Sequence, residues 1–408
     1  TFRIFITGGS VARGAPYSVH IPMTVFGMRS SHALPDPAFK APPAAAKLAD
    51  VPGLAGVPRG GREHDPYSIL GEHATRSGGA TMPGFGGIPS WLHAMLEMRY
   101  PDKKIEVINV AHEGANSLDV REFIKVLVSC EPDLIIVASG NNEGFLEPSW
   151  LKSLMSDWIV YRLLSEALMQ PGEDGRPVLP KRPPDMAGLL QQYKRNIRQI
   201  VAISREAGVP VALATLPIRL KYRGTPDVMQ MFLLNLKEDR WIKEGKARQQ
   251  QGNCEEALKL LTKSDNPALA AFFMGQCYEQ LGQLDQAREQ YRRYTEGLPL
   301  GRSRPSHNAF VRELAKEEGL VLMDLAKVIQ EADPDGFSEA HFRDHCHLDW
   351  QGYYLMSREV ARQVAGLEAF RKAAGDKGRF PAKDEIIERY GWQALLKKSR
   401  PKRCPGNF

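Results

Sequence analysis

The sequence predicts an α/β fold with a parallel, doubly wound sheet that is interrupted by a unit of inserted helical hairpins. Two patterns support this prediction. Short apolar segments that suit buried strands alternate with amphipathic segments of helical spacing, as in parallel sheets with crossover helices. Between residues 241 and 299, small residues instead recur at an offset of 30, as in repeated pairs of helices. A chain of 408 residues is long enough for both units.

The first predicted strand lies in the segment FRIFITGGS, residues 2–10. Its largely apolar character suits a strand that is buried inside a parallel sheet. Gly8 and Gly9 permit a tight turn, and Ser10 then lies just past the carboxyl end of the strand, where ligands bind in open α/β sheets. Taken alone, the stretch is explained more simply as a strand-to-helix turn with Ser10 as the N-cap.

Residues 33–87 are rich in Pro, Gly and Ala and have neither helical nor strand periodicity. They predict a long loop or insertion. Two interpretations stay open: a segment that lies over the site near Ser10, and a surface insertion without a role there.

From residue 88 the alternation of helices and strands is regular. Each strand is predicted from a short apolar run and each helix from an amphipathic one. Helices are predicted at 88–99, 117–128 (with Ser117 as N-cap), 149–170 and 186–207, and strands at 105–110, 134–138 and 209–215. After the inserted hairpins come a last strand at 319–324, the polar segment HFRDHCHLDW with an amphipathic helix behind it, and a last helix within 381–399.

The inserted hairpins show internal correspondence. Four positions of the first unit match four positions of the second. The pairs are Gly245 with Gly275, Gly252 with Gly282, Ala257 with Ala287, and Leu261 with Tyr291. The second unit resembles a tetratricopeptide repeat, and the first is a looser match. Because two repeats are too few for a free-standing solenoid, we expect them to pack on the sheet domain or on a partner.

Composition excludes several classes of function. The net charge of +6 comes without a basic run interleaved with aromatic residues, so no nucleic-acid partner is expected. Five scattered cysteines predict neither a disulfide framework nor a zinc ribbon, and no cofactor is expected. The sequence contains no uninterrupted apolar run of about eighteen residues, so no transmembrane segment is predicted. Two cellular locations stay open: the cytoplasm, and an exported location after removal of an upstream segment.

The polar segment near residue 344 carries the first sign of chemistry. Asp344 and His347 are spaced so that the carboxylate can reach the imidazole Nδ1, which leaves Nε2 free to take a proton from a serine. Gly114 and Asn142 follow two predicted strands and can offer N–H donors to an oxyanion. Because the carboxyl ends of parallel strands meet at one edge, we expect these residues to gather around Ser10.

In order along the chain, these residues form four blocks: Gly8-Gly9-Ser10, Asn109 to Gly114, Gly140 to Glu143, and Asp344-x-x-His347. Together they resemble the SGNH or GDSL-type hydrolase family over residues 1–228 and 303–366. With the tetratricopeptide-like helices, they resemble a bacterial subgroup of that family. The resemblance implies a three-layer α/β/α fold with a flavodoxin-like sheet.

The resemblance also implies roles for the residues of the four blocks. Ser10 is the implied nucleophile, His347 the general base and Asp344 the residue that orients it. The backbone N–H of Ser10, Gly114 and Asn142 form the implied oxyanion hole.

The predicted divisions of the chain follow from this resemblance. They are a first hydrolase part at 1–228, a helical insert at 229–302, a last hydrolase part at 303–370, and a C-terminal helix with a basic tail at 371–408.

Two departures from the family and several structural alternatives accompany this interpretation. Gly9 and Glu143 stand where the family usually has Asp. His347 can be an ordinary surface histidine, Asn142 can cap a turn, and Gly114 can be an ordinary turn glycine. The run His345-Cys346-His347 suggests a metal, but adjacent side chains point apart, so no metal is expected.

The sequence therefore predicts a serine esterase or acyl hydrolase. Its substrate class is a small-molecule or glycan ester, such as an O-acetyl or another O-acyl group. Two alternatives stay open. One is an O-acyltransferase that uses the same residues, and the other is a non-catalytic scaffold that binds a protein through the helical insert.

Overall fold

A computed structural model describes residues 1–14, 87–112, 114–143, 170–171, 177–178, 186–223, 238–297, 301–333, 337, 340–376 and 378–393. The loop predicted at 33–87 lies outside the described residues except for Gly87, and the helix predicted at 149–170 does so except for Gln170. The basic tail after residue 393 is also outside them.

The described strands are β1 Phe2–Gly8, β2 Ile105–Asn109, β3 Leu134–Ala138, β4 Gln170–Pro171, β5 Pro177–Val178, β6 Val211–Ala214 and β7 Val321–Met323. Five of them form a parallel sheet in the order β2-β1-β3-β6-β7, and β4 and β5 form a separate antiparallel pair. Within the larger sheet, the strands thus follow the spatial order 2-1-3-4-5, which is the flavodoxin-like order. The predicted sheet class is confirmed.

The described α-helices are α1 Ser10–Arg13, α2 Ile88–Arg99, α3 Ser117–Leu127, α4 Met186–Glu206, α5 Arg240–Gln250, α6 Cys254–Leu261, α7 Pro267–Gln280, α8 Leu284–Gly297, α9 Pro305–Glu317, α10 Leu325–Ala332, α11 Trp350–Gly366, α12 Glu368–Ala374 and α13 Lys383–Arg389. None of these helices is long and apolar enough to cross a membrane.

Two apolar cores cover the two faces of the parallel sheet. Ile4 and Ile6 of β1 join the core formed with α2, α10 and α11, whereas Phe5 joins the core formed with α3, α4 and α9. Successive side chains of a strand point to opposite faces, so a strand that is apolar throughout is buried on both. The result is the three-layer α/β/α arrangement.

A third core holds the helical insert together. In each hairpin a helical glycine lies against the next helix: a Cβ on Gly245 would be 2.7 Å from Leu261, and one on Gly275 would be 2.7 Å from Tyr291. The matched positions of the two predicted units therefore make matched contacts. This core also includes Leu220 from the segment after β6, so the insert packs against the part of the chain that carries the sheet. Assignment of the hairpins to the tetratricopeptide class and the domain bounds stay predictions.

Two predicted helix boundaries differ from the structure. The N-cap of α3 is Asn116, whose side chain accepts the backbone N–H groups of Leu118 and Asp119, because the Ser117 hydroxyl is engaged elsewhere. The helix predicted within 381–399 is interrupted after Arg389, since Gly391 turns the chain with a φ of +66°, and residues 394–399 lie outside the described residues.

Candidate active site

Ser10 lies at the edge of the sheet where β1 gives way to α1. Gly8 has a φ of +148°, and a Cβ there would overlap the carbonyl oxygen of Ala138, so this sharp turn requires glycine. Gly9, and not Ser10, is the N-cap of α1. The Ser10 side chain is thereby free of a capping role, and the residue is 8% exposed.

His347 lies between Ser10 and Asp344. Its Nε2 is 2.7 Å from the Ser10 Oγ, and its Nδ1 is 2.8 Å from the Asp344 Oδ2. With the proton on Nδ1, the imidazole donates to the carboxylate and accepts from the serine hydroxyl. The structure thus brings together three of the residues that the sequence singled out, across 337 positions between Ser10 and His347.

The Asp344 carboxylate is fixed by the turn that contains it. Its Oδ1 accepts the backbone N–H of Cys346 at 2.9 Å and of His347 at 2.7 Å, and its backbone carbonyl accepts Nη1 of Arg219 at 3.0 Å. Burial raises the pKa of Asp344, but the hydrogen bond to His347 and those from the backbone outweigh it and hold the pKa far below its ordinary value. The carboxylate therefore stays charged and fixes the orientation of the imidazole.

The contact with Asp344 also changes the acidity of the His347 imidazole. Burial lowers the pKa of His347, but the hydrogen bond to Asp344 and the thiol of Cys346 outweigh that effect. The net direction is a raised pKa. A larger fraction of His347 therefore carries a proton near neutral pH than for an isolated histidine.

Asn142 lies beside the turn that carries Ser10. A Cβ on Gly9 would be 2.6 Å from Asn142 Nδ2, so the amide packs directly against the Gly9 backbone. One amide hydrogen is donated to the carbonyl of Ala115 at 2.9 Å. An amide nitrogen carries two hydrogens, so the second is available to a ligand at this edge.

Gly114 lies on the segment that Asn142 contacts through Ala115. It is exposed, with a φ of +74°, and a Cβ there would meet nothing within 4 Å. Glycine is therefore favoured at this position by backbone conformation and not by close packing.

Glu143 ties together the two segments that carry Gly114 and Asn142. Its carboxylate accepts the backbone N–H of Ser117 at 2.7 Å and the Ser117 hydroxyl at 2.8 Å, and Asn196 donates to that hydroxyl oxygen at 2.9 Å. Burial raises the pKa of Glu143 to about 7 even though the bonds from Ser117 oppose the shift. A buried carboxylate thus stands directly behind the loop that holds Asn142.

Three further residues, which sequence reasoning did not identify, also hold this loop. Tyr193 donates its hydroxyl to the Ser139 carbonyl at 3.0 Å, and the Ser303 backbone N–H donates to Asn141 Oδ1 at 2.9 Å. His307 Nδ1 lies 3.2 Å from the Gly140 carbonyl. Burial and the nearby Arg304 lower the pKa of His307 to about 3, so it is neutral and donates from Nδ1. Their distance along the chain from residues 139–141 explains why no local motif marks them.

Cys346 departs from the expectation that neighbouring side chains point apart. Its Sγ is 3.6 Å from His347 Nδ1, and the potential ligand atoms of Asp344, Cys346 and His347 all lie within 4.8 Å of one another. The thiol contacts the imidazole in spite of the adjacency of the two residues. The expectation that adjacent side chains point apart, which argued against a metal site, therefore does not hold for Cys346 and His347.

The chain is similar to several solved structures. No protein-family model matches the chain, and no curated protein matches it. Among solved structures, the chain is similar to an acetylxylan esterase from Geobacillus stearothermophilus, at 14% identity over 70% of this chain and 84% of that one, with a TM-score of 0.35. It is also similar to a protein assigned to the G-D-S-L lipolytic family from Desulfitobacterium hafniense DCB-2, at 13% identity over 70% and 92%, with a TM-score of 0.31. An α/β hydrolase, LAE5, from the metagenome of Lake Arreo matches at 13% identity over 70% and 84%, with a TM-score of 0.34.

Proposed function

We propose that this protein is a serine ester hydrolase of the SGNH type that forms an acyl-enzyme on Ser10. The observation that carries the proposal is the row of hydrogen bonds from Ser10 through His347 to Asp344. A serine hydroxyl is a weak nucleophile, and it is activated by a base that is itself oriented by a third group.

In the first step, the Ser10 Oγ attacks the ester carbonyl carbon while His347 Nε2 takes the hydroxyl proton. The carbonyl becomes a tetrahedral oxyanion, and the imidazolium is stabilised by the Asp344 carboxylate. His347 then gives the proton to the leaving alcohol oxygen, and the ester C–O bond breaks. Water repeats the cycle on the acyl-enzyme and releases the acid.

The oxyanion requires donors that are in place before the reaction. The second amide hydrogen of Asn142 and the backbone N–H of Ser10 are our proposed donors, with Gly114 as the third. The loop of Asn142 is held by the hydrogen bonds of Glu143 and by those of Ser303 and His307. Such support suits a group that must not rearrange during the reaction.

Fluorophosphonate labelling together with hydrolysis of p-nitrophenyl acetate tests this proposal. We expect one label on Ser10, competition of the label by substrate, and loss of nearly all hydrolysis in Ser10→Ala. Ser129→Ala is the matched control, because Ser129 is exposed on the surface and its hydroxyl donates to the Val126 carbonyl. An unlabelled protein would instead favour a scaffold, and acyl transfer to added glycerol in preference to water would favour an acyltransferase.

A further inference from the structure

The thiol of Cys346 is a chemically active group that the proposed hydrolysis does not use. It is 5% exposed and lies against two imidazoles, 3.4 Å from His345 Nε2 and 3.6 Å from His347 Nδ1. Burial raises the pKa of Cys346, but the bonds to the two histidines outweigh it and lower the pKa below its ordinary value. The thiolate form of cysteine is a good ligand for soft metal ions.

Two further ligands lie beside this sulfur. An Asp344 carboxylate oxygen, Cys346 Sγ and a His347 ring nitrogen all lie within 4.8 Å of one another, and Asp344 Oδ2 and His347 Nδ1 are 2.8 Å apart. Carboxylate, thiolate and imidazole are the three ligand types of protein zinc sites, in which zinc is usually four-coordinate and tetrahedral. Small shifts of these side chains would direct all three at one ion, with water as the fourth ligand.

The cluster is open to solvent on one side. The side chain of Asp344 is 40% exposed and that of His347 is 21% exposed. An ion can therefore reach the carboxylate first and the buried sulfur second, without opening the sheet.

We propose that Asp344, Cys346 and His347 form an inhibitory binding site for a zinc-like divalent ion. The inhibition, though not the binding, rests on the proposed hydrolase function. The ion takes the Cys346 thiolate, and the thiol proton leaves to solvent. It also takes the lone pair of His347 Nδ1, so the proton that Nδ1 carried moves to Nε2. Nε2 then donates to Ser10 instead of accepting from it, and the base is lost.

Binding is tested without reference to activity by titrating the full-length, metal-free protein with Co²⁺. We expect a thiolate-to-cobalt charge-transfer band that saturates at one equivalent and is displaced by Zn²⁺. The band should be lost in Cys346→Ala and kept in Cys130→Ala, which removes another buried thiol. Cys254 and Cys277 contact each other and can give a band of their own, so the difference between variants is the readout. A band of equal size in Cys346→Ala overturns the site.

Inhibition is tested on the same samples with p-nitrophenyl acetate, each variant being compared with its own metal-free rate. We expect Zn²⁺ to inhibit the wild type reversibly, with recovery of activity in EDTA. Inhibition of Cys346→Ala should require at least about 10-fold more Zn²⁺. Equal zinc sensitivity of the two proteins overturns the inhibitory role. A metal-free wild type that binds Co²⁺ at Cys346 and hydrolyses no ester would leave the site intact and refute the proposed function instead.

Discussion

At the scale of single residues, Asp344 determines both the charge and the tautomer of His347. Its carboxylate accepts Nδ1 at 2.8 Å and raises the pKa of the imidazole. Hydrolysis requires neutral His347, so activity is lost as the pH falls through this raised pKa. We therefore expect the acidic limb of kcat/KM to lie above the ordinary histidine value of about 6.5.

Asp344→Asn should move that limb to lower pH and lower kcat on the order of 10⁴-fold, as the same change does in a serine protease. The amide presents an N–H to Nδ1 and so favours the wrong tautomer. The measurement is a pH–rate profile from pH-jump assays with p-nitrophenyl acetate. Asp349→Asn is the control, because Asn is as good an N-cap for α11 and the charge change is the same. An unmoved limb in Asp344→Asn would show that Asp344 does not set the basicity of the imidazole.

Gly9 offers a second test at this scale. A Cβ at this position would be 2.6 Å from Asn142 Nδ2 and 3.2 Å from the Ala115 carbonyl. Gly9→Ala should displace the amide and lower kcat by about 10²–10³-fold with little change in KM, as for loss of one oxyanion donor.

Combination with Asn142→Ala should add little further loss, since both changes remove the same donor. Gly366→Ala is the control, because a Cβ there would meet nothing within 4 Å. Additive losses in the double variant would show that Gly9 acts on some other group.

Residues show where sequence reasoning stops. Ser10, Asp344 and His347 were identifiable because their spacing and their place after strands carry chemical meaning. Ser117 was misassigned as a cap because its hydroxyl bonds Glu143, a partner 26 positions away that local propensity does not reveal. His307, Ser303 and Cys346 were missed or set aside because their contacts depend on tertiary packing.

At the scale of elements, the site depends on two loops that follow β2 and β3. Glu143 links them through Ser117, and it does so from a buried position where its pKa is about 7. In the unfolded chain the pKa is the ordinary 4.5. Its protonated form is thus favoured on folding, so this contribution to stability is present below about pH 4.5 and is lost as the pH rises through about 7.

Glu143→Gln should remove this part of the pH dependence, because a neutral amide does not titrate. Urea unfolding at several values between about pH 5 and pH 8 measures it, as the slope of the free energy of unfolding against pH. Glu313→Gln, which neutralises an exposed carboxylate on α9, is the control. Equal slopes in wild type and Glu143→Gln would place the titration elsewhere.

The order of the strands could be predicted because buried parallel strands are apolar on both faces and their connections follow few routes. The length of the last helix could not be predicted in this way. Gly391 ends the helix by a left-handed turn, and a single glycine within a polar stretch is compatible with either outcome.

At the scale of the whole molecule, the segment after β6 joins the helical insert to the site. Leu220 is buried in the core of the insert, whereas its neighbour Arg219 donates to the backbone carbonyl of Asp344. The two parts of the chain therefore share one packed segment of 216–223.

Leu220→Ala should lower the free energy of unfolding by about 2–5 kcal/mol and should also lower kcat, since Arg219 loses its anchor. Urea unfolding and ester hydrolysis on the same preparation give both quantities. Leu281→Ala is the control, because Leu281 is 40% exposed and should cost less than about 0.5 kcal/mol. A destabilised variant with an unchanged kcat would show that the insert supports the fold without influencing the site.

The separation of Ser10 from His347 by 337 positions also has a consequence for biosynthesis. The ribosome adds Ser10, our proposed nucleophile, 337 residues before it adds His347, our proposed base, which precedes α11. A growing polypeptide on the ribosome can form β1, β2 and β3 long before the imidazole has been made. Until His347 has been made, our proposed nucleophile has no base, so we expect the nascent chain to be inactive toward esters.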